Sequence, residues 1–388
     1  MMTWKMSGAG AALPTTEWPR LRVRIAGRPD PWLFCLVAIL VTLGIIFVFD
    51  TSYFTSTSEF EDSYRMTFKQ GVSTVIGVIL LYVCSRCPSD FLERKAYGIF
   101  AVTIPMLLLT IVPGVGECAN GACRWVQLGL FNLQPAEFVK LGFLVAVSAW
   151  LTRVSDRLRN PMYGMVPVFA VVGLLGAVLI QQPDFGTTVL LGGLSVLMLF
   201  LGGVPVWHLA GPTLGLSAIA GLLVYLEPYR VRRVLAFLNP TEDLQGVSWQ
   251  LWQALIAFGS GKVFGQGLGA STQKSGWLPE AHTDFIFSVI GEETGLVGAT
   301  SIVVLFTLLA WRGFRIAHRH SEPFAQLLAA GLTLLITLQA IINMGVVLGM
   351  LPTKGIGLPF LSYGGSSMMV FLAAAGILLS LSRELRER

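Results

Sequence analysis

Apolar residues in this chain gather into long runs, and polar residues gather into the segments between them. The runs fall at Pro31–Phe49, Phe68–Ser85, Ala96–Val112, Pro135–Leu151, Met165–Gln181, Thr187–Val204, Val206–Glu227, Asp284–Trp311, Phe324–Gly345 and Ser366–Ser382. Each is about 17 residues or longer, enough for an α-helix to cross a bilayer. A closed barrel would need shorter segments of alternating polarity, and these runs do not alternate. The pattern predicts an all-α polytopic membrane protein of about ten transmembrane helices. Residues 31–388 would form one membrane domain behind a flexible polar tail at 1–30.

Composition agrees. The chain is 54% hydrophobic and 13% charged, with mean hydropathy +0.69, where a soluble domain carries about 25% charged residues. Its net charge of +5 follows from topology, so no nucleic-acid partner is expected. Lys5, Arg20, Arg22, Arg24 and Arg28 precede the first run. Arg86, Arg94 and Lys95, then Arg153, Arg157 and Arg159, then Arg312, Arg315 and Arg319 occupy alternate connections, and Arg383, Arg386 and Arg388 end the chain. The positive-inside rule makes that side cytoplasmic and puts both termini there. The N-terminal segment lacks a cleavable-signal pattern, so the first run is expected to be retained.

The opposite face then receives Val112–Gln134, the turn Gln182-Pro183-Asp184-Phe185-Gly186, the long excursion Tyr229–Thr283, and Gly349–Gly365. The motif-like polar sequence is concentrated in these four, so the chemistry is expected outside the cytoplasm. Cys118 and Cys123 share one of these loops and could pair in an oxidising compartment. Cys84 and Cys87 form half of a zinc pattern with no second half.

Asp284 opens the eighth run beside Phe285, Ile286 and Phe287. An apolar surround raises a carboxylate's pKa towards that of a useful acid or base. The same position also suits an N-cap. Asp284, Ser288, Gly291 and Gly295 would share one helix face, a stripe of small and polar residues expected to wall a cavity. Glu292 and Glu293 are expected to serve as helix-locking hydrogen-bond partners. Glu137 and Lys140 lie at i, i+3 inside the fourth run, where charges are costly and usually pair. They fit a structural ion pair and a polar cavity equally well. Arg230, Arg232 and Arg233 fall on the face the charge bias disfavours. Guanidinium forks match phosphate oxygens there, although a position among lipid headgroups is also open. Arg124-Trp125 carries the same ambiguity, since an interfacial Trp is ordinarily a membrane anchor.

Two further patterns lead nowhere. Gly259-Ser260-Gly261-Lys262 resembles the end of a P-loop, but Val263 stands where magnesium needs Ser or Thr. His282 near Asp284 suggests a hydrolase triad, but no serine occupies a strand–turn–helix setting. No transition-metal ligand cluster is present in the sequence.

Taken together, several stretches resemble the SEDS family (shape, elongation, division and sporulation) of bacterial integral membrane proteins. They are Asn120–Trp125 with Gln134–Lys140, Gln182–Thr187, Arg233–Pro240, Gly259–Gly269, Leu278–Glu293, Leu351–Gly355 and Leu361–Ser367. Pro279-Glu280-Ala281-His282-Thr283-Asp284-Phe285-Ile286-Phe287 is the most specific of them. Pro352-Thr353-Lys354-Gly355 and Ile290-Gly291-Glu292-Glu293 are similar to the division branch. Asp50-Thr51-Ser52-Tyr53 matches the family pattern only loosely, and the cysteines of Val115–Cys123 lie outside it.

The resemblance implies a peptidoglycan glycosyltransferase in the bacterial cytoplasmic membrane, placed at the division septum by its branch. Its substrate would be lipid II, an undecaprenyl-pyrophosphate-linked disaccharide peptide. Its partners would be a class B penicillin-binding protein transpeptidase and other divisome proteins. The family's essential aspartate falls on Asp284, and its polar cavity pair on Glu137 and Lys140. Arg124, Trp125, Arg230, Arg233, Glu280, His282 and Lys354 complete the expected cavity. Asp284 would act as general base while Lys140 and the arginines receive the pyrophosphate. A divalent cation, Mg or Mn, could share that work, although the sequence identifies no site for it. A lipid II flippase is the rival reading. It fits the helical body and the buried pair, but needs a site open to both faces, whereas the polar motifs crowd one. A non-catalytic scaffold for a single-span partner is the third.

Overall fold

The computed structural model describes residues 27–60, 62–112, 115–119, 122–128, 131–239, 246 and 248–385. Most of the basic tail lies outside these residues, as do Asn120, Gly121, Pro240, Arg386 and Arg388. The helices are α1 (Pro31–Phe60), α2 (Arg65–Cys84), α3 (Ser89–Leu109), α4 (Pro135–Arg153), α5 (Pro161–Gly164), α6 (Val166–Gln181), α7 (Phe185–Leu201), α8 (Val206–Tyr225), α9 (Pro228–Leu238), α10 (Trp249–Gly261), α11 (Ile286–Arg319), α12 (Pro323–Val347) and α13 (Gly365–Arg383). All ten predicted runs are helical. Among the described residues, eight helices are long and apolar enough to cross a membrane. The other two are α3, which opens on charged residues and contains Pro105, and α7, 17 residues long. The chain is a multi-pass α-helical membrane protein.

Local chemistry sets several helix starts. Proline occupies the first turn of α4 and α12, where its missing N–H costs nothing. Asp184 caps α7 by accepting from Thr187 N at 3.1 Å, satisfying a donor the helix leaves free. One continuous apolar core runs from Leu33 to Leu381. Its centre is α4, α12 and α13; 89% of the apolar window of α13 is buried, against 6% for α8, which stands at the periphery.

Two expected loops are built differently. The first holds a three-stranded antiparallel sheet, β1 (Gly116–Ala119), β2 (Ala122–Leu128) and β3 (Phe131–Leu133). The Cys118–Cys123 disulfide staples β1 to β2. The second, the excursion before the eighth span, contains α9 and α10. In α10, Leu251, Ala254 and Ala257 are buried, a 3.6-residue stripe on a helix too short to span.

That helix packs onto the small-residue stripe of α11. Ser288, Gly291 and Gly295 do not wall the cavity. Phe258 of α10 lies over Gly291, where an added Cβ would come within 2.3 Å of the ring. Gly295 takes φ 68° and breaks α11, with its Cα facing Gly265 N and Val263 O. Only glycine tolerates that conformation and that approach together. The small residues make a packing groove for α10 and the turn after it. Just below, Lys274 Nζ lies 2.6 Å from Asp50 and 2.7 Å from Glu293. Glu292 accepts from Thr272 N at 3.1 Å and from the Ser271 hydroxyl. Both glutamates thus lock the excursion to α11, and Asp50, in the stretch that departs from the family pattern, extends the lock to α1.

Candidate active site

A cavity of about 1490 Å³ opens among the ends of α4, α6, α7, α9 and α11 and the turn between α12 and α13. Drug-sized pockets measure about 300–1,000 Å³, so this one suits a larger molecule. These helix ends lie opposite those carrying Arg153, Arg319 and Arg383, on the face the charge bias makes extracytoplasmic. Asp284, Glu137, Lys140, Arg124, Trp125, Arg230, Arg233, Glu280, His282 and Lys354 all line it. The structure thus brings these ten residues into one cavity, while Arg232 and the small-residue stripe of α11 do not line it.

At the inner wall, Lys140 is buried and donates to Glu137 Oε1 at 2.7 Å and to Gln339 Oε1 at 2.8 Å. The second oxygen of Glu137 is buried and has no hydrogen-bond partner within the described residues. Gln339 donates in turn to Gly357 O at 3.0 Å. One helical turn further along α12, Asn343 donates to Asp284 O and Ile356 O, both at 2.8 Å. Two amides of one helix face thus tie Lys140, the Asp284 backbone and the turn carrying Lys354 to a common support.

Asp284 precedes α11, whose N-cap is Phe285 with no side-chain cap hydrogen bond. The N-cap alternative therefore does not hold. Burial beside Phe285 and the Glu280 carboxylate push its pKa up to about 7, while Arg233 and Arg124 pull it down and Asp184 adds a smaller upward push. Gly355 leaves room for the carboxylate, since an added Cβ there would sit 3.3 Å from its Oδ2. Such a group changes charge near neutral pH, as an acid or base in proton transfer must. Glu280 takes φ 57°, a strained conformation for a non-glycine residue, and its carboxylate accepts from the Thr283 hydroxyl at 2.7 Å.

Two cations, Arg233 and Arg124, act on the carboxylate, and Arg230, Lys140 and Lys354 line the same cavity. Arg124 donates to Gln182 O at 3.0 Å and to Pro183 O. Arg230 donates to Leu223 O at 2.9 Å, and Arg233 to Thr353 O at 3.3 Å. The Phe185 ring carries Arg230 at 5.2 Å and Lys354 at 5.4 Å, and burial lowers the pKa of Lys354. The open choice between headgroup contact and a cavity wall resolves to the wall for Arg124, Arg230 and Arg233. His282 is buried, with its ring 5.6 Å from that of Tyr363.

The sequence reading missed Gln339, Asn343 and the Asp50–Lys274 pair. Amides inside an apolar span were the available signal for the first two. Among the described residues, no group of three or more His, Cys, Asp or Glu is placed to hold a metal ion. The cavity residues do not form a cage for Mg or Mn, and no step below passes through one.

Fold and site define a polytopic membrane protein with a large, cation-lined cavity built around one perturbed carboxylate. The chain belongs to the FtsW/RodA/SpoVE cell cycle protein family, whose model matches residues 31–387. "Probable peptidoglycan glycosyltransferase FtsW" of Geobacter metallireducens is 38% identical over 367 residues, covering 95% of this chain and 98% of that protein. The protein of the same name from Methylococcus capsulatus is 42% identical over 349 residues, covering 89% and 87%. Among solved structures, a chain described under "Structural coordination of polymerization and crosslinking by a peptidoglycan synthase complex" superposes with TM-score 0.74. It is 29% identical, covering 93% of this chain and 99% of that one. The rod shape determining protein RodA of Thermus thermophilus gives TM-score 0.65 at 28% identity, covering 93% and 98%.

Proposed function

We propose that this protein is a peptidoglycan glycosyltransferase that polymerises lipid II on the outer face of the cytoplasmic membrane during cell division. The observation that carries the reading is the convergence, in one cavity, of a carboxylate with pKa about 7 and the cations Arg124, Lys140, Arg230, Arg233 and Lys354. The names of its relatives and the division-type Pro352–Gly355 segment support the same reading.

In the reaction a sugar hydroxyl of one chain attacks the anomeric carbon of another. Asp284 takes the hydroxyl proton as the new C–O bond forms, and the bond to the pyrophosphate breaks. Positioned general bases contribute about 10²–10⁴-fold. Negative charge builds on the leaving diphosphate, where preorganised cations stabilise it without reorganising. Arg124, Arg230 and Arg233 supply forked donors, and Lys140 and Lys354 supply point charges. Gln339 and Asn343 keep the base and Lys140 at fixed separation. The polyprenyl chains remain in lipid between peripheral helices.

A class B penicillin-binding protein is the partner that fits, since newly made glycan needs a crosslinking enzyme beside it. The division-type motifs support action at the septum. The deciding experiment is polymerisation of labelled lipid II by the purified protein with such a partner, in wild type and in Arg233→Ala/Arg230→Ala. Loss of glycan product in the variant supports the reading. Unchanged product would remove the arginines from the reaction.

A further inference from the structure

The β1–β2 hairpin carries two features that the mechanism leaves unused, the Cys118–Cys123 disulfide and a Glu117 oxygen with no hydrogen-bond partner among the described residues. The half-cystines face each other across the hairpin, and the ladder is irregular between Glu117 and Cys118. The strands contain 4, 7 and 3 residues. Sheets of this size are marginal in water without further support, and a bulge weakens pairing where it falls. A crosslink at that point holds together what the hydrogen bonds alone hold weakly.

Arg124 is the next residue after Cys123. It leaves the hairpin to grip Gln182 O and Pro183 O in the turn between α6 and α7, and Asp184 of that turn caps α7. Glu117, Arg124, Trp125, Pro183 and Asp184 all line the cavity. The crosslink thus sits one residue from a guanidinium that forms part of the cavity wall. Cys118 is exposed and Cys123 half-buried, so small redox reagents reach the pair.

We propose that the Cys118–Cys123 disulfide is a positioning element of the active cavity, holding Arg124 on the α6–α7 turn so that turnover depends on the oxidation state of the two cysteines. This rests on the cavity being the polymerase site. Formation removes two protons and two electrons from the thiols. A protein dithiol–disulfide oxidant of the extracytoplasmic space accepts them and is itself reduced to the dithiol. Reduction by a phosphine returns two thiols and converts the phosphine to its oxide, with oxygen from water.

The experiment uses the full-length protein with its partner in proteoliposomes, lipid II as substrate, and tris(2-carboxyethyl)phosphine as reductant. Thiol labelling of Cys118 and Cys123 reports the redox state. Reduction lowers kcat about tenfold, less than the 10²–10³ of deleting a preorganised donor outright, and reoxidation restores it. Cys118→Ser/Cys123→Ser has the reduced rate from the start and does not respond to phosphine. Arg124→Ala has a low rate that also does not respond, because the staple acts through that side chain. Equal rates for oxidised and reduced wild type would overturn the proposal, as would a phosphine response persisting in Arg124→Ala. Should the double variant fail to fold, the reversible wild-type titration still decides. Full activity of Asp284→Asn would instead sink the site reading, whatever phosphine does.

Discussion

Replacing Lys140 by Met tests whether the buried pair is a lock, a catalytic charge, or both. Lys140 Nζ has Glu137 Oε1 at 2.7 Å, and both side chains are almost wholly removed from solvent. Its other partner is Gln339 Oε1 at 2.8 Å. Removing the ammonium leaves a carboxylate buried without a counter-charge, a loss of about 3–5 kcal/mol. Glu137→Gln/Lys140→Met removes both charges, and the new amide can pair with Gln339. Its cost should fall to about 1–2 kcal/mol, since neutral replacement of a buried pair is mild. Unfolding in mixed micelles measures both differences, and their non-additivity gives the coupling. Initial rates of lipid II polymerisation, read on gels, measure the second role. If Lys140 stabilises the departing diphosphate, single and double variants both lose about 10²–10³-fold in kcat. A double variant that regains wild-type polymerisation along with stability would reduce Lys140 to a structural lock. A single variant as stable as wild type would contradict the buried-pair geometry itself.

Other outcomes follow from the same contacts. The rate should rise with pH through about 7 as Asp284 ionises; Glu280→Gln moves that limb to lower pH and Arg233→Ala to higher pH, read from kcat/KM profiles. The native Asp284 keeps its proton to about pH 7, while its ordinary pKa is 3.8. Its ionisation therefore destabilises the fold, a penalty absent below about pH 4, growing between about pH 4 and 7 and complete above about pH 7. Asp284→Asn should raise the unfolding free energy at pH 8 by up to about 4 kcal/mol, less the screening from water in the cavity, with little change at pH 4. Asn343→Leu leaves the carbonyls of Asp284 and Ile356 without their amide donor, at about 1–3 kcal/mol each. It should lower kcat more than it raises KM. Gly291→Val drives a methyl group into Phe258 and should destabilise the protein by about 1–3 kcal/mol, measured by unfolding.

The helices were legible because a bilayer demands long apolar runs, and each of the ten runs folds as one. Their ends were less so. The first helix continues to Phe60, past Asp50, because a helix leaving the membrane needs no apolar residues to persist. The hairpin and α10 were hidden inside loops, since short strands and a 13-residue amphipathic helix give weak periodic signals. Cavity membership was only half legible through charge: Glu137 inside a span fitted an ion pair as well as a polar space, and Arg233 fitted the headgroup zone as well as a cavity wall. The glycines of α11 misled, because a stripe of small residues lines a cavity or receives a neighbouring helix, and sequence does not distinguish the two. Asp50 and Lys274 are 224 positions apart; nothing local in either stretch announces the pairing.

In the proposed reaction the Asp284 carboxylate takes the acceptor proton. The most direct measurement is glycan synthesis from labelled lipid II by purified Asp284→Asn with its crosslinking partner, beside wild type and with folding verified by unfolding at pH 8. Glycan product should fall at least about 10²-fold in a variant as stable as wild type or more so. Product formed at the wild-type rate would contradict that role.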